Sequence, residues 1–174
     1  MEPFNRLETP RLVLRKARDE DLDFIWQNVW CDGELAKTML WKPTLTREEA
    51  VLRMERTKAL QALHFAYFVC LKETDEPIGM AGITEAAPGV YEETGICIAR
   101  SYQRKGYGRE LLQALIMLAF HGLGAHTARY ACFRENVPPA NLCKSLGFQY
   151  THSDTGVRSW DGYAYICDHF ALSR

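Results

Sequence analysis

The stretch Gln103-Arg104-Lys105-Gly106-Tyr107-Gly108 decides how this chain is read. It follows an apolar run, Ile96-Cys97-Ile98-Ala99, and opens a long amphipathic segment from Arg109 to Phe120. That order is a strand turning through a glycine-bearing loop into a helix. The first N–H groups of a helix have no acceptor within it. Together with the positive end of the helix dipole they form an anion site suited to phosphates. Gly106 and Gly108 carry no Cβ, so a bulky ligand can come close to the main chain. Arg104, Lys105 and Arg109 add positive charge at the rim. The segment predicts a grip on a phosphorylated ligand.

Upstream, Leu12-Val13-Leu14 reads as a first strand, and Asp19 as the cap of a helix carrying Leu22, Ile25, Trp26 and Val29. A short helical piece from Glu34 to Leu40 is broken by Pro43. Thr46 and Glu49 form a capping-box pattern, announcing a helix that carries Ala50, Val51, Met54 and Leu60. The period then changes. Phe65 to Leu71 and Ile78 to Thr84 make a hairpin around Thr74-Asp75-Glu76-Pro77. Pro88-Gly89 turns into a strand from Val90 to Ile98. Downstream, the long helix from about Arg104 ends near Gly122-Leu123-Gly124. A strand follows from Thr127 to Phe133. Pro138-Pro139 starts a helix that Gly147 ends. Gln149 to Thr151 and Tyr163 to Phe170 flank the Asp161-Gly162 turn. The sum is a mixed α/β fold of about seven strands in one domain, residues 1–174.

The chain has 174 residues, 47% hydrophobic and 25% charged, which suits one globular domain with a proper core. A net charge of −1 gives no global field for nucleic acid. No apolar stretch reaches the roughly 18 residues of a membrane span. Met1-Glu2-Pro3-Phe4-Asn5-Arg6 lacks a secretory pattern. The six cysteines, at 31, 70, 97, 132, 143 and 167, form no C-x-x-C pair, and they read as buried thiols in a reducing cytoplasm. No paired Cys/His spacing calls for zinc, so no metal is expected.

Further features extend the pattern. Glu93-Thr94-Gly95-Ile96 precedes the glycine loop. About thirty residues after that loop come Glu135-Asn136 and Leu146-Gly147-Phe148, while Thr9-Pro10-Arg11-Leu12-Val13-Leu14-Arg15 opens the chain. Taken together these resemble the GNAT superfamily of acetyl-CoA-dependent N-acetyltransferases, in its RimJ/RimL-type branch, over roughly the whole chain. The resemblance implies a mostly antiparallel mixed sheet with helices on both faces and strands splayed at the coenzyme site. It implies acetyl-CoA as co-substrate, its pyrophosphate held by main-chain N–H groups across Gln103 to Gly108. Ile96, Cys97 and Ile98 would line the pantetheine arm, and Asn136 would bond the coenzyme near its thioester.

Acetyl transfer needs a neutral amine. An α-amine titrates near 8 and a lysine near 10.4, so the lysine costs about 4–5 kcal/mol more to deprotonate at neutral pH. A carboxylate acting through water can take that proton. Glu93, at the position of the glutamate in the branch's Ala-Glu-Ile-Gly pattern, is the leading candidate; Glu85 and Glu92 lie close in sequence, to share the role or to attract a cationic substrate, with Glu85 the candidate substrate contact. Strand alternation lets only one of Glu92 and Glu93 point inward. The leaving thiolate needs a proton. Where many relatives have Tyr the chain has Cys143, a weak candidate acid, and where many have Ser it has Pro139. Trp41 and Trp160 are candidates to line an acceptor cleft by cation–π contact. The acceptor is expected to be a small-molecule or a peptide or protein amine. Transfer of a longer acyl group, or an acyl-CoA sensor without catalysis, is the alternative, and a homodimer is left open.

Overall fold

The computed structural model describes residues 4–174, and Met1-Glu2-Pro3, the head of the segment read for a leader, lies outside them. The strands are β1 (Arg6–Glu8), β2 (Leu12–Arg15), β3 (Phe65–Leu71), β4 (Pro77–Ala87), β5 (Val90–Glu93), β6 (Cys97–Ile98), β7 (Thr127–Phe133), β8 (Gln149–Val157) and β9 (Ala164–Ser173). The helices are α1 (Leu22–Ile25), α2 (Gly33–Ala36), α3 (Arg47–Leu63), α4 (Tyr107–Met117) and α5 (Val137–Ser145). Helix α1 runs on through a π-helical turn, Trp26–Trp30, and α4 through another, Leu118–Gly122. The nine strands form one sheet in the order β1-β2-β3-β4-β5-β7-β9-β8, with β6 paired to β4. Among the described residues only the β5–β7 pair is parallel. The count exceeds the expected seven because β1 is very short and the Val90–Ile98 segment divides in two.

Period-two alternation builds a core on each side of the sheet. Tyr67 and Val69 of β3 join Leu111, Leu115, Tyr130, Cys143 and Phe148 beneath α4 and α5. Phe68 and Cys70 face the other way, onto Ile25, Val29, Trp30, Ala50 and Met54 of the N-terminal helices. Among the described residues no helix is long and apolar enough to cross a membrane.

Local chemistry explains the boundaries and several departures. Thr46 and Glu49 close the expected box: the Thr46 hydroxyl accepts from Glu49 N–H at 3.2 Å, and the Glu49 carboxylate from Thr46 N–H at 3.3 Å. Helix α3 buries Ala50 and Met54 as expected, but leaves Val51 and Leu60 exposed and buries Gln61 instead. The Gln61 side-chain oxygen accepts from Ala17 N–H at 2.6 Å, which removes the cost of burying it. Asp19 caps nothing. Asp21 closes that turn by accepting from Arg18 N–H at 2.8 Å, while Arg15 grips it through two nitrogens, each at 2.8 Å. The piece expected over Glu34 to Leu40 is a single turn, with the Asp32 carboxylate accepting from Glu34 and Leu35 N–H. The long helix begins at Tyr107 rather than Arg104, and β8 runs on to Val157 rather than stopping at Thr151.

Candidate active site

Strand β4 pairs along one edge with two separate strands. Ile83 faces Glu93 of β5, while Met80 and Gly79 face Cys97 and Ile98 of β6. Strand β7 follows β5 only as far as the Glu92–Arg129 pair. Beyond it β6 stays with β4, and β7 stays with β9 from Tyr130 to Phe133. The two strands part, and a cleft of about 1160 Å³ opens between them. Ile96, Cys97 and Ile98 line one wall and Tyr130 to Phe133 the other. Main-chain groups on the facing edges lack the partners a continuous sheet would supply, and an extended amide-bearing ligand can pair with such edges. Gly79 makes the close β4–β6 approach: a Cβ there would run into the Cys97 carbonyl.

The loop after β6 forms the inner end of the cleft. Arg104 has φ 62° and Gly106 φ 85°, both left-handed, with Lys105 between them at negative φ and α4 directly after. Such alternation turns successive N–H groups toward one concavity, an anion nest. Among the described residues the N–H groups of residues 104–109 find no backbone acceptor, and the first bond back runs from Glu110 N–H to the Gly106 carbonyl at 3.2 Å. A non-glycine residue at positive φ is strained by about 1–3 kcal/mol and persists only where its surroundings hold it. The holding residues are remote in sequence. Arg11 donates from Nη1 to the Lys105 carbonyl at 2.9 Å and from Nε to Glu110 Oε2 at 2.8 Å, and its guanidinium lies 4.6 Å from the centre of the Tyr107 ring. Thr9 and the Arg11 N–H also bond Glu110, at 2.5 and 2.7 Å. Burial raises the Glu110 pKa, but these hydrogen bonds outweigh it and hold the group below the usual range.

Not every residue expected at the coenzyme site reaches the cleft. Gln103, Arg104, Gly106, Gly108 and Asn136 line it; Lys105, Tyr107 and Arg109 do not. Gln103 donates its side-chain amide to the Ile98 carbonyl at 2.8 Å, so it braces the loop against β6. Arg109 donates to Ser145 Oγ at 2.8 Å, tying α4 to α5. Lys105 stands over the Tyr102 ring.

Glu93 sits where the strands part. Its Oε2 accepts from Gly95 N–H at 2.5 Å, and its Oε1 lies 3.4 Å from the Ala131 nitrogen across the split. It is half-buried yet closely surrounded by protein. That desolvation pushes its pKa up to about 7, and the two backbone N–H groups pull only partly the other way. Glu92, on the opposite face by alternation, does not line the cleft. Glu85 is corrected as a substrate contact: it lies outside the cleft and accepts from Gly89 N–H at 3.0 Å, closing the β4–β5 turn. Cys143 is corrected as an acid. It is fully buried under the sheet, off the cleft, and burial pushes its thiol pKa up, which makes it a poorer proton donor.

The outer end is built from Leu35, Thr38, Met39, Leu40, Trp41, Phe133 and Cys167. Arg53 packs its guanidinium between Trp30 and Trp41, 4.8 and 4.7 Å from the ring centres, and this burial lowers its pKa to about 10. Trp160 is corrected as a cleft residue: it lies outside, 4.5 Å from the Arg158 guanidinium. Sequence reading passed over Arg158. It is 3% exposed, donates to the carbonyls of Ala36, Lys37 and Met39 at 3.2, 2.8 and 3.2 Å, and pairs with Asp161 at 2.6 Å. It staples the loop bearing Trp41 to the terminal hairpin.

Comparison with known proteins agrees with this geometry. Residues 11–149 match the family model described as an acetyltransferase (GNAT) domain. A protein named as uncharacterized N-acetyltransferase p20 of Bacillus licheniformis is 32% identical over 146 residues, which is 82% of each chain. The structure of a candidate ribosomal-protein-serine acetyltransferase from Vibrio cholerae superposes with a TM-score of 0.80 at 25% identity over 97% of both chains. A spermidine N-acetyltransferase from Vibrio cholerae, solved with CoA and spermine, does so with a TM-score of 0.76 at 18% identity, over 95% of this chain and 96% of that one. The chain belongs to the GNAT acetyltransferase family and is an N-acetyltransferase. Proteins of this family use acetyl-CoA.

Proposed function

We propose that the chain transfers the acetyl group of acetyl-CoA to a primary amine carried on an apolar or aromatic body, such as an arylalkylamine or a peptide N-terminus. Direct attack joins the amine nitrogen to the acetyl carbon and releases the coenzyme as thiolate. Glu93 takes the amine proton through water, and the thiolate is protonated from solvent. The free N–H groups of residues 104–109 would hold the pyrophosphate, and the β6 edge at Ile96, Cys97 and Ile98 the pantetheine amides. Asn136, at the head of α5, would reach the thioester end. The coenzyme supplies an activated acyl group; the protein supplies position, exclusion of water and a base.

One observation carries the reading: Glu93, with its pKa raised to about 7, stands at the strand split and is the one carboxylate among the described residues lining the cleft. The cleft's other charges are Arg100 and Arg104. Asp32, close by, is engaged by Arg100 at 2.6 Å and by the start of α2. A polycation would meet two arginines and a single base. An apolar amine would meet Leu35, Met39, Trp41 and Phe133. The RimJ/RimL-type branch is supported by the Thr9 to Arg15 segment and by the Vibrio cholerae neighbour at 25% identity. Thiol release from acetyl-CoA, with mass spectrometry of the products, tests the proposal on phenethylamine, an apolar N-terminal tripeptide and spermidine. The first two are expected to exceed spermidine in kcat/KM by at least tenfold. Preference for spermidine overturns the acceptor assignment, and coenzyme binding without turnover on any amine overturns catalysis.

A further inference from the structure

We propose that His152, Asp154 and His169 bind a divalent transition-metal ion on the open face of the terminal hairpin. Their ligand atoms all lie within 4.8 Å of one another. Register brings them together. Tyr150 faces Phe170, but the next pairing is His152 with His169, so Thr151 is an extra residue in β8. Such a bulge re-aims the side chains that follow it. Without it His152 would oppose Asp168 and leave by the other face. With it the two imidazoles stack, their centres 4.3 Å apart and their planes 6° from parallel, so one ring turns about its χ2 out of the stack for both to aim a nitrogen at one ion.

Thr151 also sets the tautomer. Its hydroxyl donates to the His169 carbonyl at 3.2 Å, which uses its only proton. The same oxygen lies 3.0 Å from His152 Nδ1 and accepts there in the tautomer that carries its proton on Nδ1. The His152 proton is then on Nδ1 and the lone pair on Nε2, as in a metal-ligating histidine whose other nitrogen is held by an outer partner. On the second ring, His169 Nε2 lies 3.1 Å from Asp154 Oδ2, a contact in which a cation can replace the shared proton.

Two imidazoles and one carboxylate suit zinc, cobalt or nickel; calcium and magnesium prefer oxygen ligands throughout. Three protein ligands leave at least one position for water or an incoming group. The site adjoins the cleft, because Cys167, which lines it, is two residues from His169 on the same face of β9 and opposes Asp154. An ion bound here would depart from the expectation of no metal. That expectation rested on sequence spacing, and His169 reaches the other two only through the hairpin and its bulge.

Calorimetric titration of the tag-free full chain with zinc chloride tests this, alongside cobalt(II) absorption spectra. One equivalent is expected to bind. His152→Ala and His169→Ala should each weaken binding by at least about tenfold. Thr151→Val keeps all three ligands and should still cost about tenfold, the usual effect of losing an outer partner. Thermal melts establish that each variant is folded. Cys31→Ser and Cys167→Ser should leave the affinity unchanged. No one-to-one binding at millimolar zinc, binding that survives both histidine variants, or binding lost in either cysteine variant overturns the proposal.

Discussion

At the scale of the residue, Glu93 links burial to pH. The carboxyl titrates near 7 in the folded chain against 4.5 for its ordinary value. A base works unprotonated, so kcat/KM for the amine should rise with pH through an inflection near 7. Glu93→Gln should abolish that inflection and lower turnover by about a hundredfold or more, within the usual range for a positioned base, with little change in KM for acetyl-CoA. A flat difference between the two enzymes from pH 5 to 9 would remove Glu93 from the reaction. Stability runs the other way. Between the two values the folded chain keeps a proton that the unfolded chain has lost, so stability falls as pH rises. The contribution is complete below about 4.5 and is lost as pH passes about 7. Glu93→Gln cannot ionise, so melting should show it gaining on the parent between pH 5 and pH 8. Glu93 was singled out by its place in the family resemblance, since an acid in a strand two residues before a glycine does not by itself mark a base. Glu85 and Trp160 satisfied the same composition but point elsewhere, and only register and turn geometry separate them from Glu93 and Trp41.

At the scale of the element, the loop from Gln103 to Gly108, proposed to hold the coenzyme, is a strained segment held from outside. Arg11 and Thr9, almost a hundred residues upstream, fix Glu110 and the Lys105 carbonyl. Arg11→Ala should raise KM for acetyl-CoA about fivefold, about 1 kcal/mol for a partly exposed charged hydrogen bond. It should leave kcat within about twofold, as expected when positioning of the coenzyme rather than the chemistry is disturbed. A fall in kcat with unchanged KM would assign Arg11 to the reaction itself. The loop was legible because its glycines and the following amphipathic period are contiguous. Its brace was not, because nothing in Thr9-Pro10-Arg11 states which distant carbonyl the guanidinium meets. The division of Val90–Ile98 into β5 and β6 was likewise invisible to periodicity: no change of period separates Val90-Tyr91-Glu92-Glu93 from Cys97-Ile98, and the break depends on β7 pairing with only the first.

At the scale of the whole molecule, the site is shared between halves of the chain that meet only when folded. Arg158 joins them, with its charge on Asp161 and its remaining donors on three carbonyls of the acceptor loop. Arg158→Met would leave those carbonyls unpaired and should cost about 2–4 kcal/mol, read by denaturant melting. It should also raise KM for the amine more than KM for acetyl-CoA, since the loop carries Trp41 and the coenzyme nest is elsewhere. Equal effects on both would show general loosening. The mixed sheet followed from the order of elements and its two covered faces from the resemblance, whereas this clamp, spanning more than a hundred residues, followed from neither.

Strand β9 lies between β7 and β8 rather than at an edge. On the ribosome, the wall of the cleft formed by Ala131 and Phe133 therefore has no neighbour on its far side until Ala164–Ser173 has been synthesised and slots in. A chain cut before Ala164 is therefore expected to leave the β7 wall unpaired and to lose its grip on coenzyme A, which calorimetric titration of the shortened chain would check.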